Sequence, residues 1–183
     1  MDVTIHAYSS FDELLFYCKH SANPVGRLML ALHGVNDPLA IRCSDHICSA
    51  LQLINFWQDL SIDLPRGRCY LPQVWLQGAG LSSEQLLDGQ VSHEQLQPAL
   101  KQALQITSDL LEDGLPLLAL LPFRLRLQIA ATIHAGRRML AKIEAVEALQ
   151  ERVSLSRAEF RSLFWPVLKD SLFPSRANKR KPV

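Results

Sequence analysis

This 183-residue sequence predicts an all-α fold, and three observations predict it. Leucine and the other apolar residues recur at steps of three and four, the spacing of one helix face. Serine or aspartate stands at the head of most of these stretches, where a helix N-cap belongs. No segment alternates as a half-buried strand would, and no internal repeat is visible. With 48% hydrophobic residues and only 8 glycines, the chain can bury a core and assemble a helical bundle.

The elements follow in order. Ser10 with Glu13 reads as a capping box opening a helix through FDELLFYCKHSA, which Pro24 must kink or end. VGRLMLALHG follows and stops near Gly34. Asp37 as N-cap and Pro38 at the first helical position start a long helix that runs to Asp63, where Leu64-Pro65 ends it. Residues 65–81, with Pro65, Gly67, Pro72, Gly78 and Gly80, read as an ordered loop. A short capped helix over 82–88 is closed by Gly89, and a longer one covers 92–113 with Gly114 as its C′ residue. Pro122 opens a long helix to about 150, and a last one spans 156–173 with an interruption near Pro166. Residues 1–173 thus form one helical domain, and 174–183 a basic, flexible tail.

A formal net charge of +1 gives no global field that would favour nucleic acid. The four cysteines lack CxxC spacing, and MDVTIHAYSSFDE lacks a basic start and apolar run, so a cytoplasmic chain with reduced thiols is expected. No uncharged apolar run reaches bilayer length. The nearest, 115–123, is a buried helix or a membrane-surface contact.

Chemistry concentrates in ALQLINFWQDLSIDLPRGRCYLPQ, residues 50–73. On a helix Gln52, Asn55, Asp59 and Asp63 follow steps of three, four and four, which puts them on one stripe of an otherwise apolar helix. Such a stripe is either a solvent face or a site inside a bundle. It carries no cation, and two carboxylates one turn apart repel unless a counter-ion lies between them. Mg²⁺ would suit, since it takes one or two carboxylates together with phosphate oxygens. Arg66 and Arg68, on the segment leaving the helix, could neutralise phosphate or could simply be surface residues. In YCKHSANPVGRL, residues 17–28, Tyr17 is either core or an aromatic face for a cationic ligand, and Ser21, Ala22 and Gly26 permit close backbone approach.

These two segments resemble the squalene/phytoene synthase family of prenyl transferases. YCKHSANPVGRL is similar to the family's Tyr-Cys-x-x-(small)-Ala-x-x-Val-Gly segment. Residues 50–73 are similar to its Gln-x-x-Asn-x-x-x-Asp-x-x-x-Asp helix followed by Gly-Arg-x-Tyr-Leu-Pro. Within the family the likeness is greatest to the hydroxysqualene-synthase branch of bacterial hopanoid biosynthesis. Gln58 stands where many members have Arg. The resemblance implies an isoprenoid-synthase-type bundle in which Asn55, Asp59 and Asp63 hold Mg²⁺, Gln52, Arg27, Arg66 and Arg68 meet the substrate, and Tyr17 is the active-site tyrosine. It implies ionisation of presqualene diphosphate and capture of the cation by water, with no nicotinamide.

A member of the family should also carry a first DxxxD helix upstream of the tyrosine segment, and only Asp12 and Glu13 precede Tyr17 closely. The bundle is therefore expected to be incomplete, lacking the N-terminal helices with that motif, and to have little synthase activity alone. Peripheral membrane contact and self-association through exposed apolar surface are further expectations. Two other readings stay open: condensation of two farnesyl or geranylgeranyl diphosphates, and a non-catalytic helical lipid- or partner-binding role.

Overall fold

The computed structural model describes residues 7–174. Of the expected tail 174–183, all but residue 174 lies outside them. Helices α1 (Phe11–Ser21) and α2 (Asn23–Leu32) form an angled pair, broken at Ala22 with Pro24 in the first turn of α2, where its missing N–H costs nothing. Helix α3 (Pro38–Gln58) begins as expected, with the Asp37 carboxylate accepting from the Leu39 and Ala40 amides.

The expected single helix to Asp63 is corrected. It breaks at Asp59 (φ −101°, ψ 14°) and resumes as the short α4 (Leu60–Asp63), followed by one 3-10 turn at Leu64–Arg66. The side chains on both sides of the break bond elsewhere, Gln58 to Val153 and Asp59 to Arg152. Gly67 then takes φ 75°, a conformation that favours glycine, and turns the chain back.

The expected loop 65–81 contains a further helix, α5 (Gln73–Gly78), which starts behind the extended Pro72. Helices α6 (Ser83–Leu87) and α7 (His93–Gly114) both open with reciprocal capping boxes, Ser82 with Gln85 and Ser92 with Gln95. Gly114 is not a left-handed terminator but the last helical residue. A Cβ there would collide with the Ile47 side chain and press on the Cys43 carbonyl, so glycine is needed for close approach of α7 to α3.

After α8 (Leu117–Leu120), helix α9 (Phe123–Ala145) ends five residues before the expected 150. The chain turns at the extended Val146 and buries Ala148 and Val153. The last expected helix is two, α10 (Arg157–Ser162) and α11 (Phe164–Leu172). Pro166 cannot donate to the Ser162 carbonyl, so the break falls at Leu163, one turn ahead of it.

Helix α3 is the hub. Leu53 and Trp57, both fully buried, face a core with Leu96, Leu100, Ala103 and Leu111 of α7. Towards its start, Cys43 and Ile47 join Leu117, Leu118, Leu121 and Leu125. The 115–123 run is thus mainly core, although Phe123 is exposed. Gly26 of α2 lies directly on Ser44 and Cys48, and the buried Ser49 hydroxyl donates to the buried Asn23 amide oxygen at 3.0 Å. All four cysteines are free thiols, and burial raises Cys18 to about 12 and Cys69 to about 11. No described helix is long and apolar enough to cross a membrane.

Two stability measurements test this packing. Gly114→Ala should destabilise by about 1–3 kcal/mol, because the added methyl meets a packed neighbour and a backbone carbonyl. An unchanged urea midpoint would contradict the close approach. At α10, bonds from the Ser156 amide and from Lys142 hold Glu159 at about 2, below its ordinary 4.5. Its contribution is therefore present above pH 4.5 and fades as pH falls towards 2. Glu159→Gln should lower Tm at pH 7, and the difference should disappear near pH 2.

Candidate functional site

The polar stripe survives the break in α3. The Asp59 amide still donates to the Asn55 carbonyl at 3.0 Å, and the Asp63 amide to the Asp59 carbonyl at 2.8 Å. Asn55, Asp59 and Asp63 therefore remain one turn apart in succession, and the break bends the stripe without scattering it. Gln52, Asp59 and Asp63 are half-buried, while Asn55 is exposed.

The segment leaving the stripe folds back on it. The Arg68 amide donates to the Asp63 carbonyl at 3.0 Å, which brings the backbone of Arg68 to the acidic end; its side chain is half-buried, and Arg66 is exposed. Arg27 is not brought there. It forms a two-pronged ion pair with Asp45, at 2.9 and 2.6 Å. Asp45 lies fourteen residues before Asp59 on the sequence, or roughly 20 Å along the helix axis at about 1.5 Å per residue. The pair raises the Arg27 pKa and ties α2 to α3.

Tyr17 is half-buried in an aromatic cluster beside the C-terminal half of α3. Its ring lies 5.8 Å from Phe56 and edge-on to Tyr8 at 6.2 Å, and Phe56 stacks on Tyr70 at 3.8 Å. Trp57, one residue from Phe56, is anchored by donating to the buried Thr107 hydroxyl at 2.9 Å. Phe56, Trp57 and Tyr70 are buried core members of this cluster, and Tyr17 is its half-buried edge.

A residue not singled out by the sequence completes the acidic end. Arg152, ninety-three positions beyond Asp59, brings Nε to 2.5 Å from Oδ1 and its terminal nitrogen to 3.5 Å from Oδ2. Gln58 sets this contact, because its amide donates to the Val153 carbonyl at 2.7 Å and Val153 is buried. Hydrogen bonding and attraction to Asp59 raise the Arg152 pKa. No local motif marks Arg152; the one available signal was the uncharged Gln58 beside an acidic stripe that lacks a cation.

Two carboxylates and an amide oxygen one turn apart suit a hard divalent cation shared with phosphate oxygens. Among the described residues no three His, Cys, Asp or Glu side chains form a group that could hold a metal. Asp59 has an arginine as its counter-ion, so a cation arriving at this carboxylate would compete with Arg152.

Comparisons of sequence and structure identify the family. The squalene/phytoene synthase family model matches residues 1–159. The hydroxysqualene synthase of Rhodopseudomonas palustris is 37% identical over 166 residues, covering 87% of this chain and 55% of that protein. The 15-cis-phytoene synthase of Pantoea ananas is 32% identical over 169 residues, covering 87% and 52%. The crystal structure of squalene synthase HpnC from Alicyclobacillus acidocaldarius superposes with a TM-score of 0.72 at 31% identity, covering 78% of this chain and 54% of that one. With its helical bundle and acidic stripe, the chain belongs to the squalene/phytoene synthase family. It spans about half the length of the curated relatives it matches.

The Gln58 and Arg152 contacts can be separated by their cost. Arg152→Ala removes a half-exposed ion pair and should cost less than about 1 kcal/mol. Gln58→Leu removes a part-buried bond and should cost about 0.5–1.5 kcal/mol while speeding amide hydrogen exchange around Val153. Unaltered exchange in Gln58→Leu would show that the amide does not hold this segment.

Proposed function

We propose that this chain carries the second acidic half of a prenyl-diphosphate synthase site, and that the reaction is conversion of presqualene diphosphate to hydroxysqualene with release of diphosphate. The observation that carries this reading is the Asn55, Asp59 and Asp63 stripe beside the Tyr17 aromatic cluster, in a chain whose similarity extends to a hydroxysqualene synthase.

Loss of diphosphate from a cyclopropylcarbinyl carbon leaves negative charge on the departing oxygens and a carbocation behind. A magnesium ion held by Asn55, Asp59 and Asp63 would supply charge neutralisation at the leaving group. Arg152 and the Arg66 and Arg68 segment add positive charge at the same end. Tyr17, half-buried beside the packed Phe56 and Tyr70 pair, would supply an aromatic face towards the cation. Water then adds to the rearranged cation and loses a proton, giving the alcohol, with no hydride donor needed.

The 15-cis-phytoene synthase likeness favours a second reaction, condensation of two prenyl diphosphates. The test is a chimera in which this chain replaces the matching half of the Rhodopseudomonas palustris relative. With Mg²⁺ and presqualene diphosphate it should release hydroxysqualene, and Asp59→Asn should lower kcat by about a hundredfold or more. A folded chimera that instead condenses geranylgeranyl diphosphate, or turns over neither substrate, would contradict the proposal.

A further inference from the structure

Residues 146–155, between the end of α9 and the Ser156 cap of α10, contain no helix and form a strap that reaches the acidic end of α3. The strap is tied down in two ways. Ala148 and Val153 are buried, and Leu149 lines an apolar groove with Leu60, Leu64 and Leu86. These contacts are apolar and respond to no ion. The other ties are polar and lie on the stripe itself: the Gln58 amide donates to the Val153 carbonyl at 2.7 Å, and Arg152 reaches the two Asp59 oxygens at 2.5 and 3.5 Å.

The two polar ties support each other. Gln58 and Asp59 are neighbours on one side, Arg152 and Val153 on the other, so each contact holds the partners of the next in register. Asp59 is also the middle member of the stripe, where a cation would bind. Magnesium takes its oxygen ligands at about 2.0–2.1 Å. At either Asp59 oxygen it would face the guanidinium across a single carboxylate, and two positive charges would then share one negative group. The arginine is the partner free to leave, since its side chain is 54% exposed and water is at hand to receive it.

We infer that segment 146–155 is a cation-responsive strap: Arg152 and a divalent cation compete for the Asp59 carboxylate, and the cation, by displacing Arg152, loosens the strap at its Val153 end while Ala148 stays packed. Linkage makes the effect reciprocal. Whatever factor the cation takes from the strap's attachment, the attached strap takes from the cation's affinity. Arg152 is therefore a built-in competitor that lowers cation affinity. The inference rests on the proposed reading of Asn55, Asp59 and Asp63 as a cation site.

The probe is Mn²⁺ alone, which accepts the same oxygen ligands as Mg²⁺, titrated into the 183-residue chain and followed by the electron-spin signal of the free ion. Arg152→Gln should tighten binding by about two- to fivefold, the scale of a half-exposed ion pair. Gln58→Leu should tighten it in the same direction although it removes no charge, which separates release of the strap from a change in net charge. Asp59→Asn should abolish binding. In the unsubstituted chain Mn²⁺ should speed amide hydrogen exchange over residues 149–155, and in Asp59→Asn exchange there should be fast with or without the ion. Circular dichroism should be the same for all four chains.

Equal Mn²⁺ affinity in the unsubstituted, Arg152→Gln and Gln58→Leu chains, with binding lost in Asp59→Asn, would overturn the strap and leave the cation site standing. Exchange over 149–155 that Mn²⁺ leaves unchanged would do the same. Binding by none of the chains, or binding untouched by Asp59→Asn, would overturn the cation reading and the strap with it.

Discussion

The close packing of α3 against α7 is the contact on which the other elements depend. Trp57 is fully buried at that junction, and its indole N–H is satisfied by Thr107 rather than left unpaired. A buried donor without a partner would cost about 1–3 kcal/mol, so the Trp57 and Thr107 pair makes the large apolar ring admissible at the centre. With this side fixed and Gly26 and Gly114 bringing α2 and α7 close, the remaining side of α3 is the one on which Gln52, Asn55 and Asp59 sit. The placement of the acidic stripe thus follows from how the apolar residues pack.

Electrostatics at the end of that stripe set a second constraint. Two carboxylates on successive turns require compensation, and the fold supplies part of it from a distant segment, Arg152, which Gln58 holds in place through Val153. The helix breaks at Asp59, where these two ties meet the backbone. A half-exposed arginine is a weak counter-ion that a divalent cation can displace at modest cost, whereas a buried one would not be. The arrangement keeps Asp59 neutralised and still available.

Much of the helical organisation was legible in the sequence because its signals are local. The Asp37 and Ser82 caps, Pro24 at the head of α2, and the Gly89 stop each act within one turn of the residue that carries them. The acidic stripe was legible for the same reason, since helical periodicity alone fixes its spacing. What could not be read depends on partners far along the chain. Gly114 looks like a terminator by position, yet serves contact with Ile47, sixty-seven residues earlier. Arg27 looks available to a substrate, yet is taken by Asp45. Arg152 has no motif, and its role exists only because Val146 ends α9 and turns the chain back to the acidic end.

The central claim is that Asn55, Asp59 and Asp63 form a cation-dependent diphosphate half-site. Titration calorimetry of this 183-residue chain with a non-hydrolysable prenyl diphosphate analogue, with and without Mg²⁺, tests it most directly. Binding that requires Mg²⁺ and disappears in Asp59→Asn and Asp63→Asn is the predicted result. Binding that is indifferent to Mg²⁺ and to both substitutions would contradict it.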